Sequence, residues 1–264
     1  QDKDKYNTPK YRLVVRLTST RVLAQVVYST IQGDKVFIAA DSNELRRFGL
    51  TAGLSNYASS YATGLLVARR LLKKVGLDST YTGNTSIEKR YDAGQDEKDR
   101  RPFKVILDVG LKSTSTGSKV FAVLKGVADG GVYIPHSTSR FPGYNADKPE
   151  EDNKVLRERV LGAHVDKYLK ALKGTEKETL QFRRWIECLK TSGAKSIQDL
   201  YKKIHEEIRK NPDHVKREAK KDPKREHAKK FHKKRLTNKQ KREHVRKRIE
   251  IRQKELAKLA KKKA

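Results

Sequence analysis

An α/β domain with a mixed sheet and packed helices, followed by a helical and strongly basic C-terminal extension, is the fold expected for this chain. Three observations lead to it. Apolar residues alternate over short β-branched runs near the start. They then recur every three to four residues over longer stretches. Past residue 200 the chain becomes a run of cations: residues 201–264 hold 27 Lys and Arg against 9 Asp and Glu, whereas residues 1–200 hold 35 against 23. The front reads as a folded domain and the back as a basic appendage. The expected divisions are an entry segment over 1–12, an α/β core over 13–149, a helical region over 150–211 and the extension over 212–264.

Residues 11–17 put Tyr11, Leu13, Val15 and Leu17 on one face and Arg12, Val14 and Arg16 on the other, the alternation of a half-buried strand. The β-branched runs 22–30 and 35–40 flank Gly33-Asp34, which reads as a hairpin turn. An antiparallel three-stranded start follows. Residues 43–48 read as a short helix or turn stopped by Gly49. Residues 56–75 predict the clearest helix, with Tyr57, Tyr61, Leu65, Ala68 and Leu72 on one face. Ser55 or Asn56 suits its N-cap and Gly76 its end. Arg69, Arg70, Lys73 and Lys74 in its last turns complement the helix dipole as well as they would suit RNA.

Residues 80–101 are polar and read as a loop with room for short strands. Residues 103–109 predict a strand ending at Gly110. A loop over 112–118, a helix over 119–129 closed by Gly130-Gly131, and a short strand over 132–134 come next, with Pro135 limiting further pairing. Residues 150–172 read as one helix stopped by Gly174. Residues 176–189 give a second, with Phe182, Trp185 and Leu189 on one face. Ser196 caps a third that runs through Ile208, and Asn211-Pro212 breaks it. A last helix is expected after Thr237. Its stripe of Val245, Ile249, Leu256 and Leu259 is too thin for stability in water. The extension is therefore a disordered basic tail, or a helix that orders against RNA or a neighbouring protein. Residues 229–235 and 241–248 also match nuclear-import patches, which use the same charges.

A net charge of +30 makes a polyanion the default partner. Hydrophobic residues are 35% of the chain, below the usual ~45–50%. No apolar run reaches the ~18–20 residues that span a bilayer, and no signal-peptide pattern opens the chain. The single cysteine, Cys188, cannot form an internal disulfide and fits a packed position in a reducing compartment. With no methionine and a start at Gln1, a further basic segment is expected upstream.

The order of strands and helices resembles ribonuclease-H-like folds, whose two-metal nuclease site would have Asp41, Asp108 and Asp129 as its candidate carboxylates. The first strand argues against it, because Arg12 and Arg16 stand where a carboxylate is needed. None of the seven histidines falls at H-E-x-x-H spacing, and no G-x-x-x-x-G-K-[ST] loop is present. No catalysis, metal or cofactor is expected.

The most informative stretch is residues 113–144, STSTGSKVFAVLKGVADGGVYIPHSTSRFPGY. Hydroxyls, loop amides and cations held among Gly and Pro suit contact with phosphates and sugars. An ordinary strand–loop–helix corner has the same composition. In the entry segment, Lys5, Tyr6, Lys10, Tyr11 and Arg12 interleave cations with aromatics, a mixture that stacks on bases and neutralises phosphates.

These stretches carry a resemblance. The pattern TGxKVFxxLKGxxDGGxxIPHSxxRFPG resembles the eukaryotic 5S-rRNA-binding proteins of the large ribosomal subunit, of the universal protein-eighteen family. QDKDKYNTPKYR over 1–12 resembles that family's entry segment, and GLSNYASSYATGLLVARRLL over 53–72 resembles its first long helix. The resemblance spans roughly residues 1–212. It departs at the charge-rich KRYDAGQDEKDRR and matches the extension only in character.

The resemblance implies a structural protein that binds 5S rRNA and anchors it in the central protuberance. Its implied partners are 5S rRNA, large-subunit rRNA and neighbouring large-subunit proteins, including a second 5S-rRNA-binding protein, with no membrane. It implies assembly as a complex with 5S rRNA, a cytoplasmic ribosomal location and transit through the nucleus and nucleolus. The RNA-contacting residues it implies are Lys5, Tyr6, Asn7, Lys10, Tyr11 and Arg12, then Asn56 and Tyr57, then Thr114, Thr116, Lys119, His136, Ser137, Arg140 and Phe141. A non-ribosomal basic RNA-binding adaptor or assembly factor is the alternative.

Overall fold

A computed structural model describes residues 9–87, 91–95, 100–144, 151–172, 180–215 and 235–263. Two compact units are present, Gln1–His214 and Val215–Ala264. Lys5, Tyr6 and Asn7, the expected stop at Gly174 and the expected helix start at Glu176 lie outside the described residues.

The sheet of the first unit is built from β1 (Tyr11–Leu17), β2 (Val22–Thr30), β3 (Gly33–Asp41) and β4 (Ile106–Asp108), in the order β3-β2-β1-β4. The first three strands are antiparallel, as expected, and β4 adds parallel to β1 with Arg12 opposite Ile106. The hairpin turn differs from the expectation. Thr30 pairs with Gly33, so the turn is Ile31-Gln32, and Gly33-Asp34 opens β3. Asp34 is fixed there because it accepts from the Ser29 hydroxyl at 2.7 Å and the Arg12 guanidinium at 2.5 Å. Both hold its carboxyl below the usual range, the serine foremost.

The expected strand over 132–134 reduces to a single parallel bridge between Lys104 and Tyr133. Val105 N–H donates to Tyr133 O and Tyr133 N–H to Phe103 O, and Pro135 then has no N–H to offer. β4 is correspondingly short. Asp108 accepts from Gly110 N–H at 3.0 Å, turning the chain out of the sheet. Within 80–101 the described residues hold one 3-10 turn, Ala93–Gln95, and no strand.

Helix α1 (Tyr57–Val75) is capped by Asn56, whose side chain accepts from Ser59 N–H at 2.7 Å, and ends on Gly76 at φ 73°. A 3-10 helix, Ser42–Phe48, ends on Gly49. Helix α2 (Lys119–Asp129) crosses α1 with backbones nearly touching. A Cβ on Gly64 would lie 2.2 Å from Val123 O, and one on Gly126 would lie 2.1 Å from Tyr61 O. Under this crossing sits a buried ion pair, Lys125 Nζ to Asp129 Oδ1 at 2.6 Å, both side chains fully covered. Tyr61 Oη donates to the other carboxylate oxygen at 2.8 Å.

The single helix expected over 150–172 is two, α3 (Glu151–Val160) and α4 (Ala163–Leu172). Gly162 separates them at φ 75°, and a Cβ there would press on the Tyr201 ring at 3.0 Å. The apolar periodicity runs through this break, which hides it. Helix α5 (Leu180–Ser192) buries Phe182, Trp185 and Cys188. Helix α6 (Ile197–Lys210), capped by Ser196, buries Ile197, Leu200, Tyr201, Ile204 and Ile208. In the second unit, α7 (Asn238–Lys263) starts with reciprocal bonds between Thr237 and Gln240, a capping box. Its described side chains are all exposed.

His205 on α6 packs on the Tyr61 ring at 5.0 Å between centroids. Burial, with the Arg209 charge second, pushes its pKa from 6.5 down to about 3. Between those values the unfolded chain holds a proton that the fold rejects. Stability from this residue is therefore complete above about pH 6.5 and is lost as pH falls toward 3. From pH 6.5 to 5 the loss is expected to be about 1–2 kcal/mol. His205→Gln should remove that part of the slope in urea titrations; an unchanged slope would refute the assignment.

Candidate nucleic-acid interface

The N-termini of α1 and α2 open at the same end of the first unit, and hydrogen bonds tie the surrounding loops together. Lys119 Nζ donates to Ser55 O at 2.9 Å, and Ser55 Oγ donates to Ser19 O at 3.1 Å. Gly117 N–H donates to Arg140 O at 2.9 Å, joining the loop before α2 to the 3-10 turn Thr138–Arg140. Leu17, Thr18, Ser19, Lys112, Gly117, Ser118 and Lys119 line a shallow depression between them. Thr114 and Thr116 are exposed beside it, as is the Arg140 side chain.

The local electrostatics favour an anion. Neither α1 nor α2 carries an acidic residue in its first turn. Ser118 makes no side-chain cap, so early N–H groups of α2 stay open. Lys112, Lys119 and Arg140 add full charges to these partial ones.

The structure sorts the sequence-expected residues into three groups. Thr114, Thr116, Lys119, Ser137 and Arg140 lie on the loops around the depression. Ser137 Oγ bonds Ser139 Oγ at 2.8 Å, and His136 Nδ1 bonds Ile134 O at 2.7 Å with its ring edge-on to Phe141. A second group lies beneath. Phe141 is buried, and Asn56 is occupied by the α1 cap and by the Tyr201 hydroxyl at 3.0 Å. Tyr57 is covered, and burial raises its pKa well above the usual tyrosine value.

Lys10, Tyr11 and Arg12 form the third group, at the far end of β1. Seven residues at ~3.4 Å each put them ~20 Å from the depression. Tyr11 packs on Tyr28, Phe37 and Phe103 with centroids at 5.7, 5.5 and 4.7 Å. Arg12 bridges Asp34 and Asp108 at 2.5 and 3.1 Å. Ser19, Ser55 and Lys112 had no signal in spacing or composition. Their place depends on contacts between residues far apart in the chain.

The three carboxylates weighed for a nuclease do not converge. Asp41 caps the 3-10 helix and pairs with Arg21 at 3.0 Å, Asp108 pairs with Arg12, and Asp129 is sealed against Lys125. Among the described residues no group of three His, Cys, Asp or Glu could hold a metal. No described helix is long and apolar enough to cross a membrane.

A family model described as ribosomal large subunit proteins 60S L5, and 50S L18, matches residues 1–137, and one for the ribosomal L18 C-terminal region matches residues 197–254. The large ribosomal subunit protein uL18 of Tetrahymena thermophila is 51% identical over 260 residues, covering 95% of this chain and 86% of that protein. The protein of the same name from Caenorhabditis elegans is 48% identical over 88% of this chain and 79% of its own length. That from Saccharomyces cerevisiae is 47% identical over 80% and 72%. A basic α/β chain matched at this level over most of its length belongs to the family of large-subunit ribosomal proteins 60S L5 and 50S L18, which are constituents of the ribosome and not enzymes.

Proposed function

We propose that this protein binds 5S rRNA and anchors it in the central protuberance of the large subunit. One observation carries the reading: the loops before α1 and α2 and the turn at Arg140 are hydrogen-bonded into one cationic surface at paired helix N-termini. Phosphates meet Lys112, Lys119, Arg140 and the open N–H groups, while Thr114, Thr116, His136 and Ser137 address sugars and neighbouring phosphates. Asn56, Tyr57 and Phe141 hold this surface from beneath. Lys10, Tyr11 and Arg12, with Lys5, Tyr6 and Asn7, make a second contact from the entry segment. Large-subunit rRNA and neighbouring ribosomal proteins, among them a second 5S-binding protein, complete the set of partners. Assembly of the complex with 5S rRNA takes the protein through the nucleus and nucleolus.

The test is Lys119→Ala combined with Arg140→Ala. The pair is expected to weaken 5S rRNA binding at least tenfold and to flatten its salt dependence by about one to two units of slope. Lys254→Ala with Lys258→Ala on α7 should cost less. Equal losses in the two variants would remove this surface as the specific site.

A further inference from the structure

Between α1, α3 and α6 lies a cleft of about 750 Å³, separate from the loop surface. Half-buried Ile87 and the edge of Leu161 give it an apolar floor over the buried Tyr61 and Leu65, and Lys154, Arg157, Lys202 and Arg209 line its walls. Lys154 and Arg157 are three residues apart on α3, so they share a face. Lys202, His205 and Arg209 do the same on α6. Glu206 is the one acid among the described residues of the lining. Lys154, Arg157 and Lys202 form no ion pair among the described residues. Arg209 is fixed by main-chain carbonyls, Thr82 O at 2.7 Å, Asn84 O and Asp129 O at 3.2 Å. His205 Nε2 is covered and has no hydrogen-bond partner among the described residues. Arg209 holds the last residue of α2, and Lys119 is its first. The length of α2, ~15 Å, therefore separates the cleft from the loop surface.

We propose that this cleft takes one unpaired nucleotide of RNA, its phosphate against Lys154, Arg157 and Lys202 and its base on Ile87 and the edge of Leu161, beside His205. The charge balance selects an anion. The apolar floor selects one that carries a flat ring, which an acidic side chain does not. The volume lies within the ~300–1,000 Å³ typical of small-ligand sites and is closed to a duplex. The protein then grips RNA at two places, the loop surface and this cleft. The inference depends on the partner being RNA, not on that RNA being 5S.

The experiment is photocrosslinking of a decamer containing 4-thiouridine to the intact chain, mapped by mass spectrometry. Crosslinks are expected on peptides carrying Ile87 or His205. Lys154→Glu with Arg157→Glu and Lys202→Glu should reduce their yield at least tenfold, while crosslinks on residues 113–144 change less than twofold. Arg157→Ala alone, an exposed change that leaves the core intact, should reduce the cleft yield severalfold. Crosslinks absent from the cleft, or insensitive to both variants, would overturn the proposal. So would polyglutamate protecting Lys154 and Lys202 from acetylation when the decamer does not, which would assign the cleft to an acidic protein segment. Failure of 5S rRNA to outcompete tRNA would sink the 5S reading and leave these cleft outcomes unchanged.

Discussion

Gly126→Val is expected to destabilise the first unit by upwards of about 3 kcal/mol, and it should abolish RNA binding through the loop surface as well. The new Cβ would stand 2.1 Å from Tyr61 O and 3.0 Å from Leu65 N, backbone atoms that no rotamer change can move. Gly64 meets Val123 O in the same way from the other helix, so α1 and α2 can only separate. Separation would pull Lys119 at the start of α2 away from Ser55 beside the start of α1. Gly76→Ala is the control. It stands at φ 73°, a strained position for any side chain, but has nothing within 4 Å of the new methyl. It should cost only about 1–2 kcal/mol of backbone strain. Urea denaturation of both variants checks this, and a Gly126→Val protein within 1 kcal/mol of the parent would contradict the close crossing.

Lys125→Met is expected to cost about 3–5 kcal/mol. It leaves the Asp129 carboxylate fully buried, with Tyr61 Oη donating to it and Arg209 at longer range. Burial already pushes the Asp129 pKa above its ordinary value against the pull of Lys125. With the lysine gone, its pKa should rise further and the carboxyl take up a proton more readily, which limits the loss. Lys125→Met with Asp129→Leu removes both charges and should recover most of the stability, because an apolar pair needs no compensation in that interior. A double variant as unstable as Lys125→Met would refute the pairwise account.

Local chemistry made much of this fold legible. Alternation gave β1, the Asn56 cap and Gly76 gave α1, and Ser196 gave the start of α6. Each of these signals lies within a few residues of the element it specifies. The misses have non-local causes. Gly33-Asp34 looked like a turn, but Asp34 is drawn into β3 by Ser29 and by Arg12, which lies on β1. The break at Gly162 was hidden because apolar periodicity continues through it. The parallel placement of β4 beside β1 was outside what a list of strands in order can specify.

The interface divides the same way. Lys119, Arg140 and the hydroxyls of residues 113–118 could be selected from composition and resemblance, because the loop signature is contiguous. Ser19, Ser55 and Lys112 could not, since strand, helix and loop bring them together only in three dimensions. The cleft between α1, α3 and α6 was invisible for the same reason. Its cations are spread over residues 154–209, among many others with the same charge. In so basic a chain, charge alone does not distinguish a site from a solvated surface; neighbours and partners do.

The central claim is that this surface recognises 5S rRNA by shape as well as by charge. Its most direct test is binding of the purified protein to 5S rRNA across a salt series, with excess tRNA as competitor. Tight binding that survives the competitor, and that Lys119→Ala with Arg140→Ala weakens, is the predicted result. Equal displacement by tRNA with a steep salt slope would mean a basic protein meeting any polyanion, and would contradict the account.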